Sequence, residues 1–130
     1  MIDFEIPEET KQIRQAVRKF VQEECIPAEQ ECTPDNFDSV LAELRGKARA
    51  QGFWCPFVPK EHGGMGLKPL ANALVQMELG ESFLGALSMN TQGPDDATML
   101  TLLEHGTDFQ KEKFSISIQE NFVTSNRWIT

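Results

Sequence analysis

Apolar residues at Ile13, Val17, Phe20 and Val21 follow the spacing i, i+4, i+7, i+8, which is one face of a helix. Pro7 suits its first position, and Glu8 and Glu9 stand where the helix dipole favours negative charge. Pro27 is expected to end it, because the residue before a proline is pushed out of the α region. Phe37, Val40, Leu41, Leu44 and Ala48 form a second stripe, with N-cap candidates at Asp35, Asn36 and Asp38 and a left-handed stop at Gly52. Pro69 opens a third helix whose apolar side is Leu70, Leu74, Val75 and Met77, and Gly80 closes it. Ser82 offers to cap a short fourth, with Phe83, Leu84, Leu87 and Met89. Pro94, Asp95 and Asp96 start a fifth, which carries Met99, Leu100, Leu102 and Leu103 inside and stops at Gly106. Thr107-Asp108-Phe109-Gln110 has the form of a capping box and opens a sixth, through Phe114. The pattern predicts an all-α fold, a six-helix orthogonal or up-down bundle over residues 1–114. The tail, 115–130, is rich in β-branched and aromatic residues and predicts a short β-hairpin.

Between the second and third helices runs Trp54-Cys55-Pro56-Phe57-Val58-Pro59-Lys60-Glu61-His62-Gly63-Gly64-Met65-Gly66-Leu67. Its two prolines and three glycines exclude helix interior and central strand. Trp54, Phe57, Val58 and Leu67 are too apolar for a solvated linker. An ordered, partly buried loop wedged between helices is expected.

Twelve basic and twenty acidic side chains leave a net charge of −8, which repels phosphate backbones and acidic membrane surfaces, so no nucleic-acid partner is expected. Cys25, Cys32 and Cys55 have no metal-ligand spacing, and with two histidines no metal site is expected. An odd cysteine count argues against a disulfide scaffold and fits a reduced compartment. No apolar run approaches the roughly 20 residues that span a bilayer. The first ten residues are acidic and lack a signal-like apolar core, so the default expectation is a cytoplasmic protein.

Chemistry read from residue types alone is thin. Gly63-Gly64-Met65-Gly66 lacks a preceding strand and the dinucleotide spacing, which favours a structural turn over phosphate binding. His62 fits a loop hydrogen-bonder. His105 stands at the Gly106 stop, where a cation suits the helix carbonyls. Asp95 and Asp96 fit dipole partners better than an acid/base pair, and Met77, Met89 and Met99 fit core packing.

Four stretches taken in order carry a resemblance. They are Gly52-Phe53-Trp54, then Pro59-Lys60-Glu61-His62-Gly63-Gly64-Met65-Gly66, then Glu78-Leu79-Gly80, then Gly106-Thr107-Asp108-Phe109-Gln110-Lys111. Together they resemble the amino-terminal helical domain of the acyl-CoA dehydrogenase family. The resemblance implies FAD-dependent α,β-desaturation of acyl-CoA thioesters. A glutamate takes the α-proton while a hydride passes to the flavin, so base, substrate and flavin must share one water-poor cavity. It further implies that the helical domain supplies one wall of that cavity, with Met89, Asn90, Gly93 and Ala97 lining the acyl end. Family members assemble as dimers or tetramers, which implies a homo-oligomer, and mitochondrial or peroxisomal placement occurs among them.

The final Arg127-Trp128-Ile129-Thr130 resembles the family's W-I-T strand, which implies that Trp128 and Thr130 pack on the flavin. The family's flavin-contacting stretch after the sixth helix, its middle β-domain, its C-terminal bundle and its glutamate base have no counterpart here. A truncated, N-terminal domain without a catalytic residue of its own is therefore expected, inactive alone. The alternative is a helical interaction or oligomerisation module without catalysis, and a weaker third reading is acyl-CoA binding without redox chemistry.

Overall fold

A computed structural model of the chain describes residues 1–93 and 95–115. The expected hairpin, with Trp128 and Thr130, lies outside the described residues. Among those described, all regular structure is helical, and the six-helix bundle is found with its first member longer than the sequence suggests.

That first member starts as α1 (Glu8–Phe20), with Glu8 and Glu9 in its first turn and Arg18 and Lys19 in its last. It does not end at Pro27. The chain passes through a wide π-helical turn, Val21–Cys25, and continues as α2 (Ile26–Glu31). The Ile26 amide reaches back five residues to the Val21 carbonyl. A proline inside unbroken α-helix loses one such bond and presses on the carbonyl four residues earlier. Here that carbonyl, of Glu23, belongs to the widened turn, and Pro27 falls in the first turn of the new register, where its missing donor costs nothing.

The second helix, α3 (Phe37–Ala50), has Asn36 at its N-cap, but the Asn36 side chain is spent on the preceding turn. Its Oδ1 accepts from the Thr33 amide at 2.6 Å and its Nδ2 donates to the Glu31 carbonyl at 2.9 Å. The stop is as read. Gly52 takes φ 78°, its amide bonds the Arg49 carbonyl at 3.0 Å, and the Phe53 amide bonds Ala48 at 2.8 Å. This closure turns Phe53 into the core, where its ring meets Phe20 edge-on at 6.0 Å.

The core gathers Val17, Phe20, Val21 and Cys25 from the first helix, Leu44 and Ala48 from α3, and Val75, Leu79, Leu84 and Met89 from beyond the loop. A smaller cluster of Cys55, Val58 and Met99 is flanked by Trp54, Phe57, Leu102 and Leu103.

After the loop, α4 (Pro69–Leu79) begins and ends as read, but it is rotated relative to the apolar stripe expected of it. Ala71, Val75, Glu78 and Leu79 are buried, while Leu70 and Met77 are 53% and 64% exposed. The helix is apolar on several faces, so periodicity does not choose among them. An ion cluster does. Glu78, 6% exposed, accepts from Arg14 Nε at 2.8 Å, Arg18 Nε at 3.0 Å and Arg18 Nη2 at 2.7 Å, which ties α4 to α1.

A short α5 (Gly85–Ser88) follows; Phe83 before it is exposed rather than inside. Ser82 Oγ accepts from the Leu84 amide at 3.2 Å and donates to Glu29 at 2.7 Å. In α6 (Asp95–His105) Met99 is buried, whereas Leu100 faces outward. The capping box of α7 (Asp108–Gln110) makes both of its bonds, Gln110 N to Thr107 Oγ1 at 3.2 Å and Thr107 N to Gln110 Oε1 at 3.0 Å. It leads into a π-helical turn, Lys111–Ser115.

Hydrogen bonds from Arg18 hold the Glu78 carboxyl down at about 2, against burial, with Arg14 assisting. The folded value lies below the unfolded one, so the stabilisation is full above about pH 4.5 and fades as pH falls toward about 2. Glu78→Gln is expected to lower the thermal midpoint at neutral pH by about 5–10 °C. It should also flatten the acid-side loss, and equal acid slopes for the two proteins would refute the assignment.

Candidate functional site

The residues expected to line an acyl cavity lie between α5 and the first turn of α6, and three other elements hold that segment. From α3, Arg45 Nε donates to the Leu87 carbonyl at 2.9 Å. From α4, Gln76 Nε2 donates to Thr91 Oγ1 at 2.7 Å. From the long loop, the Cys55 amide donates to the Met89 carbonyl at 2.9 Å.

The third tether is unusual in its backbone. Cys55 has φ 45° and Asn90 φ 52°, both in the left-handed region. Asparagine enters it readily; a cysteine does so at a cost of roughly 1 kcal/mol. The two are in contact, with Asn90 Nδ2 donating to Cys55 Sγ at 3.5 Å and Sγ 3.9 Å from the Asn90 carbonyl oxygen. Both are fully buried.

The four sequence-predicted substrate residues divide. Met89 and Asn90 are in the interior, Met89 within the main core. Gly93 and Ala97 stand exposed where α6 begins. A Cβ on Gly93 would meet nothing nearer than Asp96 Oδ1 at 3.9 Å. The structure therefore buries the first pair and leaves the second pair on the surface.

Asp95, in the first turn as read, is 2% exposed and accepts from Gln92 Nε2 at 3.0 Å. Gln92 Oε1 is buried and, among the described residues, has no hydrogen-bond partner. Arg45 feels burial foremost, then Arg49, both lowering its pKa, while Asp95 acts the other way. Arg49 lies 3.9 Å and Arg45 6.0 Å from the Trp54 ring centre, so one face of the loop is clamped by cation–π contacts.

The glycine loop behaves as a structural turn. Its amides are consumed internally: Gly63 on Lys60, Gly64 on Pro59, Met65 on Cys55 and Gly66 on Val58. A side chain on Gly64 would collide with the Val58 carbonyl oxygen. Among the described residues, the amides of Gly63, Gly64, Met65 and Gly66 are thus taken and do not cradle a phosphate. Trp128 and Thr130 lie outside the described residues. His62 is exposed, and His105, also exposed, stands in the last turn of α6 as read, 3.6 Å from Glu104 Oε2. Met89 and Met99 are core residues as expected, and Met77 is not. Among the described residues no cluster could hold a metal ion, and no helix is long and apolar enough to cross a membrane.

Two open depressions lie away from this segment. One, of about 360 Å³, sits over Arg14, Arg18 and Glu78. The other, of about 510 Å³, runs along Pro7, Ile13, Met65, Leu67 and Ala71. Sequence reasoning missed Arg45, Cys55 and Gln76 as supports of the segment, because each tether is non-local and two of them use backbone acceptors that no side-chain pattern reveals.

Residues 7–120 match the family described as acyl-CoA dehydrogenase, N-terminal domain. Isovaleryl-CoA dehydrogenase, mitochondrial, of Bos taurus is 33% identical over 107 residues, 82% of this chain and 25% of that protein. Acyl-CoA dehydrogenase family member 11 of Pongo abelii is 29% identical over 120 residues, 84% of this chain and 15% of that one. A solved structure titled as a putative acyl-CoA dehydrogenase from Mycobacterium abscessus superposes with a TM-score of 0.83 at 26% identity, over 92% of this chain and 33% of its own. The chain thus spans about a quarter or less of the curated relatives it matches.

Burial pushes the Cys25 and Cys55 thiols up to about 11, and Cys32 is half-buried. With a disulfide reagent at mildly alkaline pH, Cys32 should react first. The other two should react at least about 100-fold more slowly until the chain is unfolded. Three fast thiols in the native protein would contradict the placement.

Proposed function

The chain belongs to the acyl-CoA dehydrogenase family through its N-terminal domain, and we propose that it serves as one wall of an acyl-CoA thioester site in FAD-dependent α,β-desaturation. The observation that carries this reading is the exposed pair Gly93 and Ala97, which follows in the chain on the buried pair Met89 and Asn90. Small residues at a helix start leave room for an acyl chain, and a buried pair with no solvent access keeps that surface in one shape. Met89 and Asn90 act by setting the backbone that Gly93 and Ala97 continue.

By themselves these 130 residues are proposed to be inactive, since none of them is assigned to remove the α-proton and only Trp128 and Thr130 are assigned to the flavin. In the tail, Trp128 and Thr130 are proposed to meet the flavin of a complete site. The mitochondrial label of the bovine relative and the cytoplasmic default from composition leave the compartment as a proposal on the relative's side.

A second reading has its own observation. Leu70, Met77, Phe83 and Phe109 are each more than half exposed. This exposure supports homo-oligomer formation, and light scattering after size exclusion reads it directly; a strict monomer would remove it.

Titration of the isotope-labelled chain with short- and long-chain acyl-CoA tests the first reading by amide chemical shifts. The expected result is weak binding with shifts concentrated in residues 89–98 and no turnover with an electron acceptor. Shifts centred on the groove along Pro7 and Leu67, or none, would overturn the wall, and turnover would overturn inactivity.

A further inference from the structure

We propose that Cys55 and Asn90 form a latch that positions the acyl-side surface, with Cys55 as a positioning residue acting through Asn90. The inference rests on the wall reading for its purpose but not for its test. Two features single out this contact from the Arg45 and Gln76 tethers. Cys55 and Asn90 are the two non-glycine residues with positive φ among those described, and each is the other's neighbour. Strain of this kind persists only where surrounding structure over-determines it, and here both residues are fully buried.

The bonds run in both directions across the gap. The Cys55 amide holds the Met89 carbonyl, and the Asn90 side chain returns to the Cys55 sulfur. The left-handed turn at Cys55 aims its amide at α5, and the left-handed turn at Asn90 directs the chain out of α5 toward Gly93 and Ala97. Cys55 is further anchored from its own side, where its carbonyl accepts from Val58 at 3.0 Å and Met65 at 3.2 Å. The loop and the start of α6 therefore form one body, and the exposed pair inherits its place from a residue some 40 positions earlier in the chain. A buried sulfur with a raised pKa stays a neutral acceptor and is not a nucleophile.

Amide hydrogen exchange on the full chain and three variants tests this. Cys55→Ala removes the acceptor, Asn90→Gly removes the donor while keeping the left-handed backbone accessible, and Cys55→Ser restores an acceptor. The expected result is at least about tenfold faster exchange confined to residues 86–98 in Cys55→Ala and Asn90→Gly, with α1 and α4 unchanged and protection regained in Cys55→Ser. Unchanged protection, a loss spread evenly over the chain, or no rescue by serine would each overturn the latch. The acyl-CoA titration on the same proteins is a separate readout, so a latch that holds without acyl-CoA binding would sink the wall alone.

Discussion

The Glu78 cluster with Arg14 and Arg18 is the constraint on which the rest of this domain depends. A helix such as α4, apolar on several sides, could be rolled into more than one packing at similar hydrophobic gain. A buried carboxylate leaves one choice, because losing its guanidinium partners would strand a charge away from water. Fixing that roll puts Ala71, Val75 and Leu79 into the core and turns Leu70 and Met77 outward. It also sends Gln76 toward Thr91, so an interaction at one end of the domain helps place the segment at the other.

The loop of residues 54–67 is the second half of that linkage. It is as much core as connector, with Cys55 and Val58 fully buried, the amides of residues 63–67 bonded within it and the Cys55 amide bonded to Met89. Its glycine run permits close backbone approach, at Gly64 against Val58, and not ligand contact. This is why a stretch that superficially suits a phosphate does structural work.

Local signals were legible in the sequence. Gly52 and Thr107 act through neighbours a few residues away, and both made the bonds read from their motifs. The helix count was legible because apolar spacing and glycine or proline punctuation agree. Pro27 misled because a widened turn can absorb a proline, and that depends on how the helix packs. Leu70 and Met77 misled because periodicity names apolar faces but not the ionic contact that selects one. At the candidate site, the segment was taken from the family resemblance, and its division into buried Met89 and Asn90 and exposed Gly93 and Ala97 was not legible. Its tethers from Arg45, Cys55 and Gln76 join residues 15 to 42 positions apart.

The interior of the domain is held by one ionic clamp, Glu78 with Arg14 and Arg18, and by one contact between two left-handed residues, Cys55 and Asn90. On the reading proposed above, it presents a surface while the flavin is held by groups outside the described residues. The visible absorption spectrum of the purified 130-residue chain after gel filtration, with its intact mass, tests that division most directly. A colourless protein of the expected mass is the predicted result. A flavin band that co-elutes in proportion to the protein would contradict it, because these residues would then hold the cofactor themselves.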